Sequence, residues 1–163
     1  MSGVNYMKYE GRLSFLNGLL SIMLIFTTLP LMAIIFQMFL GGNADIKNNI
    51  LNMIVGLIIL GGYFMIIFTL RKVIKSIRSK NPFNPDNILY FKRIGGYILM
   101  IGLIEAVLRY PTPNRTGLDI LATSYGSLKP IFFLYLVLSI LSYVLSDVFG
   151  MAMEIKDEND LTV

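Results

Sequence analysis

The stretch LSFLNGLLSIMLIFTTLPLMAIIFQMFL, from Leu13 to Leu40, contains no charged residue. A helix rises about 1.5 Å per residue, so roughly 20 apolar residues cross the hydrocarbon layer of a bilayer. This stretch exceeds that length, and we predict a membrane-spanning helix over residues 13–40. Lys8 and Arg12 precede it as in a signal peptide, but the apolar run is too long and no small-residue cleavage site follows. We therefore expect an uncleaved first helix.

The composition of the whole chain also favours a membrane protein. Hydrophobic residues make up 55% of the 163 residues and charged residues only 15%, with a mean hydropathy of +0.68. A soluble domain carries charge on about a quarter of its residues and does not bury apolar blocks of this extent. Histidine and cysteine are both absent, which excludes imidazole catalysis, thiol chemistry and nearly every zinc or haem site. We predict no cofactor, no metal and no enzymatic activity.

Four helices are predicted to cross the membrane. The third is the weakest because it contains Glu105 and Arg109, and two central charges cost about 2.5 to 3.5 kcal/mol each on insertion, which offsets the gain from the apolar residues. The expected fold is all-α, a single membrane domain over residues 1–163 with an antiparallel four-helix bundle. The predicted spans cover residues 13–40, 50–70, 94–110 and 130–149.

A basic loop over residues 71–93 is predicted between the second and third spans. Residues 71–80 continue the helical pattern as a basic amphipathic extension, since apolar residues recur there at helical spacing. Pro82 then breaks this helix, and a new helix is expected to start with Asn84 as N-cap and Pro85 in the first turn. The polar stretch over residues 41–49 is predicted to be a turn, and residues 111–129 an irregular external connection.

The distribution of lysine and arginine predicts the orientation. If the N-terminus is cytoplasmic, ten of the 14 basic residues lie on the cytoplasmic side. Cytoplasmic segments of membrane proteins carry the excess of such residues. We therefore place both termini in the cytoplasm, together with the basic loop and an acidic tail over residues 150–163. For the same reason, the basic excess does not indicate direct binding to nucleic acid.

Glu105 and Arg109 form the first candidate site. They stand four positions apart with the acid first, the favourable order for an ion pair within a helix. An ionisable residue at membrane depth suggests a proton or ligand site, which polar residues of other helices, Asn17, Gln37 or Asn52, would complete. The alternative is a structural pair that fixes helix packing or faces the external interface. We favour the structural interpretation because one acid and one base make a poor relay.

The second candidate site consists of residues on the predicted cytoplasmic side that contact lipid or a partner. Basic residues near a membrane surface attract anionic headgroups, at about 1 kcal/mol each. The acidic residues either fold back on the basic loop, receive a basic protein such as a DNA-binding domain, or are simply solvated. The set comprises Arg71, Lys72, Lys75, Arg78, Lys80, Pro82 and Phe83 of the basic loop and Glu154, Asp157, Glu158 and Asp160 of the tail.

Two sequence motifs carry a family resemblance over nearly the whole chain. The motif Lys80-Asn81-Pro82-Phe83 is followed by a helix that starts at Ile94-Gly95, and the chain closes with Glu158-Asn159-Asp160-Leu161-Thr162-Val163 after Val148-Phe149. Together they resemble the Domain of Unknown Function 2975 family. The resemblance implies a small bacterial protein of the cytoplasmic membrane with four spans and no established activity. It also implies a short helix-turn-helix regulator, often encoded beside such proteins, as a partner.

The leading functional hypothesis is a non-enzymatic membrane regulator or adaptor that holds a cytoplasmic partner of the helix-turn-helix class. Opposite charge clusters on one side of the bilayer motivate it. One alternative is a small transporter or ion-conducting subunit that uses Glu105 and Arg109. Another is a bundle that only stabilises a membrane complex, either with other proteins or as a homo-oligomer.

Overall fold

Four helices and a short hairpin make up the described part of the chain. The computed structural model describes residues 3–40, 43–79, 83–110, 121–123 and 126–161. Strands β1 and β2 pair in antiparallel register, with Ala122 opposite Ser127, immediately before the last helix. The predicted all-α class is confirmed, and the hairpin is an addition that the sequence pattern did not predict. The elements are α1 (Gly3–Leu40), α2 (Asn43–Arg78), α3 (Pro85–Arg109), β1 (Leu121–Thr123), β2 (Gly126–Leu128) and α4 (Pro130–Leu161).

Three of these helices are long and apolar enough to cross a membrane. The qualifying segments are Tyr9–Phe39, Ile50–Arg78 and Pro130–Leu161. Helix α3 is shorter, with 25 residues, and Lys92, Arg93 and Glu105 interrupt its apolar character. Membrane-spanning length and composition are therefore established for α1, α2 and α4, whereas the span predicted over residues 94–110 remains a prediction.

One predicted turn is wrong because α2 starts before its apolar run, whereas the helix end and the helix start expected within the basic loop are confirmed. Residues 43–49, predicted to be a turn, belong to α2. Residues 71–78 end α2 and residues 85–93 start α3, so most of the predicted basic loop is helical. A helix satisfies its own backbone hydrogen bonds on either side of the bilayer surface, so the membrane boundary does not end it.

The predicted start of α3 is confirmed in detail. The side chain of Asn84 accepts a hydrogen bond from the backbone N–H of Asp86 at 3.0 Å, and Pro85 opens the first turn. The basic amphipathic end of α2 is also confirmed, since Val73 is buried while Lys72 and Lys75 are exposed.

Serine hydroxyls join α4 to α3. The Oγ of Ser139 donates to the carbonyl of Gly95 at 2.9 Å, and the Oγ of Ser146 donates to that of Ile88 at 2.9 Å. Between them, Ser142 donates to the carbonyl of Phe91 at 3.1 Å. All three serines are buried. Small side chains let two helices approach closely in a membrane, and their hydroxyls then bond across the interface.

Glycines provide the remaining close contacts around α3. A Cβ added at Gly102 would lie 2.7 Å from the Cβ of Tyr135 on α4, so only glycine allows this approach. A Cβ added at Gly62 of α2 would lie 2.8 Å from the Cδ1 of Ile101, whereas nothing lies within 4 Å of a Cβ at Gly61. Of these two adjacent glycines, only Gly62 therefore lies close to a neighbouring helix.

Helix α1 contacts α2 and leaves most of its apolar surface exposed. Phe15, Phe26 and Phe36 are each at least two-thirds exposed, whereas Leu20 is buried. The buried apolar residues of the described chain otherwise lie on α2 and α3, with Ile101 completely buried. A small core and a wide apolar exterior suit a protein whose surroundings are lipid.

Candidate functional site

The last turns of α2 carry a positively charged pocket, which we call the basic pocket. It has a volume of about 600 Å³. Arg71, Lys75 and Arg78 are spaced at i, i+4 and i+7, which places them on one face of the helix. Asn17 of α1 also lines the pocket. The lining residues are Asn17, Phe68, Arg71, Lys72, Ile74, Lys75 and Arg78.

The position of these cations at the C-terminal end of α2 explains why the helix tolerates them together. Like charges four positions apart destabilise a helix by about 0.2 to 0.5 kcal/mol per pair. The negative end of the helix dipole offsets this cost, since a cation in the last turn gains about 0.3 to 1 kcal/mol. Lys75 and Arg78 both lie in that last turn.

Two of the four cations are held by neighbouring side chains. The Nε of Arg71 donates to the Oδ1 of Asn17 at 3.2 Å, which links α2 to α1. The Nζ of Lys72 lies 4.8 Å from the ring centroid of Phe68 and 5.7 Å from that of Tyr90 on α3. Both rings present a negative face to the ammonium group. Asn17 and the two rings are neutral, so these contacts orient Arg71 and Lys72 without cancelling their charge.

The structure therefore gathers one part of the predicted cytoplasmic site. Arg71, Lys72, Lys75 and Arg78 line a common pocket, as their spacing on a helix implied. Phe83 is exposed just before α3. Lys80 and Pro82 lie outside the described residues.

The acidic residues of the predicted tail lie on the last turns of α4. Gly150 is still level with Ile88, since a Cβ there would lie 3.9 Å from the Ile88 Cδ1. Residues 151–161 continue α4 by about 16 Å past the level of Ile88. Helix α3 begins close to that level, at Pro85. The four acidic residues there are all exposed: Glu154, Asp157, Glu158 and Asp160.

The same part of α4 carries an exposed apolar stripe. Val148, Met151 and Ile155 are each about half exposed and recur at i, i+3 and i+7, which places them on one face. The most extensive contacts of α4 are with α3. We call residues 151–161 the α4 extension, a helix end that exposes both acidic and apolar side chains.

Of the polar residues proposed to complete a site around Glu105, one is bonded to another residue of the bundle. Glu105 is half-buried on α3, and the side chain of Arg109 lies outside the described part. Asn17 bonds to Arg71 instead, while Gln37 and Asn52 are exposed on α1 and α2. The suggested contribution of Asn17 is therefore wrong, and a role for Glu105 and Arg109 remains a prediction.

Two polar contacts between helices were missed by the sequence analysis. The hydroxyl groups of Tyr63 on α2 and Tyr135 on α4 are hydrogen-bonded. Near the other end of the bundle, the Nδ2 of the completely buried Asn87 donates to the Oγ of Ser76 at 3.1 Å. Tyr63 and Tyr135 are far apart in sequence, and no local pattern marks residues that meet only after the helices pack.

Comparison with known proteins assigns the family. A family described as "Protein of unknown function (DUF2975)" matches residues 3–163, which is essentially the whole chain. The chain belongs to this family. This match confirms the family resemblance that the two sequence motifs predicted. No curated protein and no solved structure matches the chain, so the function of this DUF2975 protein has to be argued from its own residues.

Proposed function

We propose that this DUF2975 protein is a four-span protein of the cytoplasmic membrane that acts as a non-enzymatic adaptor. In this proposal both termini lie in the cytoplasm, and the α4 extension holds a basic cytoplasmic partner at the membrane. The observation that carries the proposal is the surface of the α4 extension. It combines exposed acidic and apolar side chains and continues past the start of α3.

Contacts along α3 support a fourth span and an antiparallel arrangement. Ser76 and Gly62 of α2 contact Asn87 and Ile101 of α3, respectively, so residue numbers fall along α2 as they rise along α3. On the other side, α3 contacts α4 from Ile88 to Gly102. A helix enclosed along this length by two membrane-spanning helices lies at the same depth as they do.

Labelling of single cysteines tests the topology directly, because the chain contains no cysteine of its own. We expect Ser79→Cys and Lys156→Cys to resist a membrane-impermeant maleimide in intact cells and to react after permeabilisation. Lys129→Cys, on the opposite side of the bundle, should react in intact cells. Labelling of the first two positions without permeabilisation would contradict the proposed orientation.

The partner that suits the α4 extension carries positive charge next to an apolar surface. A helix-turn-helix regulator has a basic face, since it binds the phosphates of DNA. Opposite charges speed association and orient the complex, while apolar contact supplies affinity. Binding to the acidic side chains would compete with binding to DNA, which gives the adaptor a way to regulate transcription.

Co-purification with a helix-turn-helix regulator of the kind that the family resemblance implies tests the partner. We expect the full-length protein to retain it, and the variant Glu154→Gln/Asp157→Asn/Glu158→Gln/Asp160→Asn to retain at least about tenfold less. Tenfold corresponds to about 1.4 kcal/mol, a modest loss for four charges at an interface.

A matched control keeps all four charges but exchanges the acids, as Glu154→Asp/Asp157→Glu/Glu158→Asp/Asp160→Glu. We expect this variant to retain the regulator within about twofold of the native protein, because attraction between charged surfaces depends mainly on charge. Equal retention by the neutral and the charge-keeping variants would argue against the adaptor proposal, as would absence of any retention by the native protein.

A further inference from the structure

The basic pocket has the chemistry of a site for a phosphate group. We propose that it binds the headgroup phosphate of an anionic phospholipid from the adjoining leaflet, held by Arg71, Lys75 and Arg78. This inference does not depend on the adaptor proposal, which concerns α4.

Charge is the first argument. Four cations line one pocket, and the contacts that hold Arg71 and Lys72 are to neutral groups. Among the lining side chains that the structure describes, none is acidic. Arginine offers a planar fork of donors that matches two phosphate oxygens at once, and lysine adds a compact charge. The pocket thus holds several donors for an anion and leaves their charge to be neutralised by a ligand.

Depth along α2 is the second argument. The uncharged run of α2 ends at Leu70, directly before Arg71, and the first polar residues after an apolar span suit the depth where hydrocarbon gives way to headgroups. Phe68, at the inner end of the lining, is 44% exposed and lies about 15 Å along the helix from Arg78. An acyl chain against Phe68 and a phosphate near Arg78 fit the two ends of one lipid molecule.

The volume of the basic pocket distinguishes a phospholipid from inorganic phosphate as the source of the phosphate group. Pockets for small organic ligands occupy about 300 to 1,000 Å³, and the basic pocket, with about 600 Å³, lies within that range. An inorganic phosphate ion would leave most of this volume to water and would not use the apolar side chains of Phe68 and Ile74. A phospholipid headgroup with its glycerol and upper chains uses both kinds of lining.

Preorganisation is the third argument. The hydrogen bond between Asn17 and Arg71 positions one guanidinium group between two helices before a ligand arrives, which lowers the entropic cost of binding. Lys75 and Arg78 are exposed at the rim and can close on the phosphate. Their replacement leaves the contact between α1 and α2 intact, which makes them suitable for a test.

Native mass spectrometry of the full-length protein in detergent tests the proposal. We expect adducts with phosphatidylglycerol to be at least about fivefold more abundant than adducts with phosphatidylcholine at equal concentration. Lys75→Gln/Arg78→Gln should lower the phosphatidylglycerol adduct at least about fivefold, and Lys75→Arg/Arg78→Lys should restore it. Inorganic phosphate at about millimolar concentration should not displace the lipid.

The matched control is Lys92→Gln/Arg93→Gln, which removes two exposed positive charges from α3 outside the pocket. We expect this variant to keep the phosphatidylglycerol adduct within about twofold of the native level. An equal loss of the phosphatidylglycerol adduct in both double variants would show that positive surface charge in general attracts the lipid. That result would overturn the proposed site. Displacement of the lipid by inorganic phosphate would overturn the choice of phospholipid. Equal thermal midpoints without lipid show that the variants are folded.

Discussion

Replacement of Gly102 by alanine is expected to lower the free energy of unfolding by about 1 to 3 kcal/mol, the usual cost of forcing one extra carbon into a packed interface. The added Cβ would lie 2.7 Å from the Cβ of Tyr135. A Cβ is fixed by its own backbone, so a rotamer change of Tyr135 does not relieve this contact. Helices α3 and α4 would have to move apart, which also lengthens the hydrogen bonds of Ser139, Ser142 and Ser146.

Gly61→Ala is the matched control for this prediction. It makes the same change in a neighbouring helix, where nothing lies within 4 Å of the added Cβ. Alanine is the better helix former by about 1 kcal/mol, so this variant should be as stable as the native protein or more stable. Thermal unfolding in detergent measures both. If the two variants unfold at the same temperature, the close packing of α3 on α4 is wrong.

The serine contacts between α3 and α4 give the second large effect. The triple variant Ser139→Ala/Ser142→Ala/Ser146→Ala should lose about 2 kcal/mol, since a hydrogen bond between membrane helices contributes about 0.6 kcal/mol on average and at most about 1.7. Each acceptor is a backbone carbonyl of α3. Each of these carbonyls still accepts a hydrogen bond within α3 after the substitution, so the loss of stability stays moderate.

A second triple variant separates these contacts from a general effect of removing hydroxyls. Ser21, Thr27 and Thr28 each donate to a carbonyl of the preceding turn in their own helix. Their replacement by alanine removes three hydrogen bonds within helices but none between helices. Titration with a denaturing detergent should therefore show a loss well below that of the α4 variant. Comparable losses would mean that the hydroxyls of α4 contribute nothing special to the interface.

The basic pocket shows how far residue patterns lead toward a site. The four cations were predicted as a group because they follow one another along a single helix, whose geometry is the same everywhere. Asn17 was named as one of three polar residues that could complete a site at Glu105, yet it bonds to Arg71. The partner of a residue on another helix depends on which helices pack together and at what level. The pocket itself exists only where α1 and α2 meet.

The sequence by itself predicted the long apolar helices and the family. An uncharged run such as residues 13–40 suits only lipid, and in lipid a segment that spans alone must satisfy its backbone within its own helix. The N-cap at Asn84 was likewise predicted from adjacent residues of the chain. These features follow from neighbours in the chain, so composition and spacing reveal them.

Only the tertiary structure decided which small residues lie at interfaces and where the charged residues meet. Gly61 and Gly62 are adjacent and chemically identical, yet only Gly62 has a helix against it. Likewise, Ser139 bonds across to α3 while Ser21 bonds within α1. The difference is the rotation and depth of one helix against another, which the summed contacts of whole helices set and no short stretch of sequence encodes.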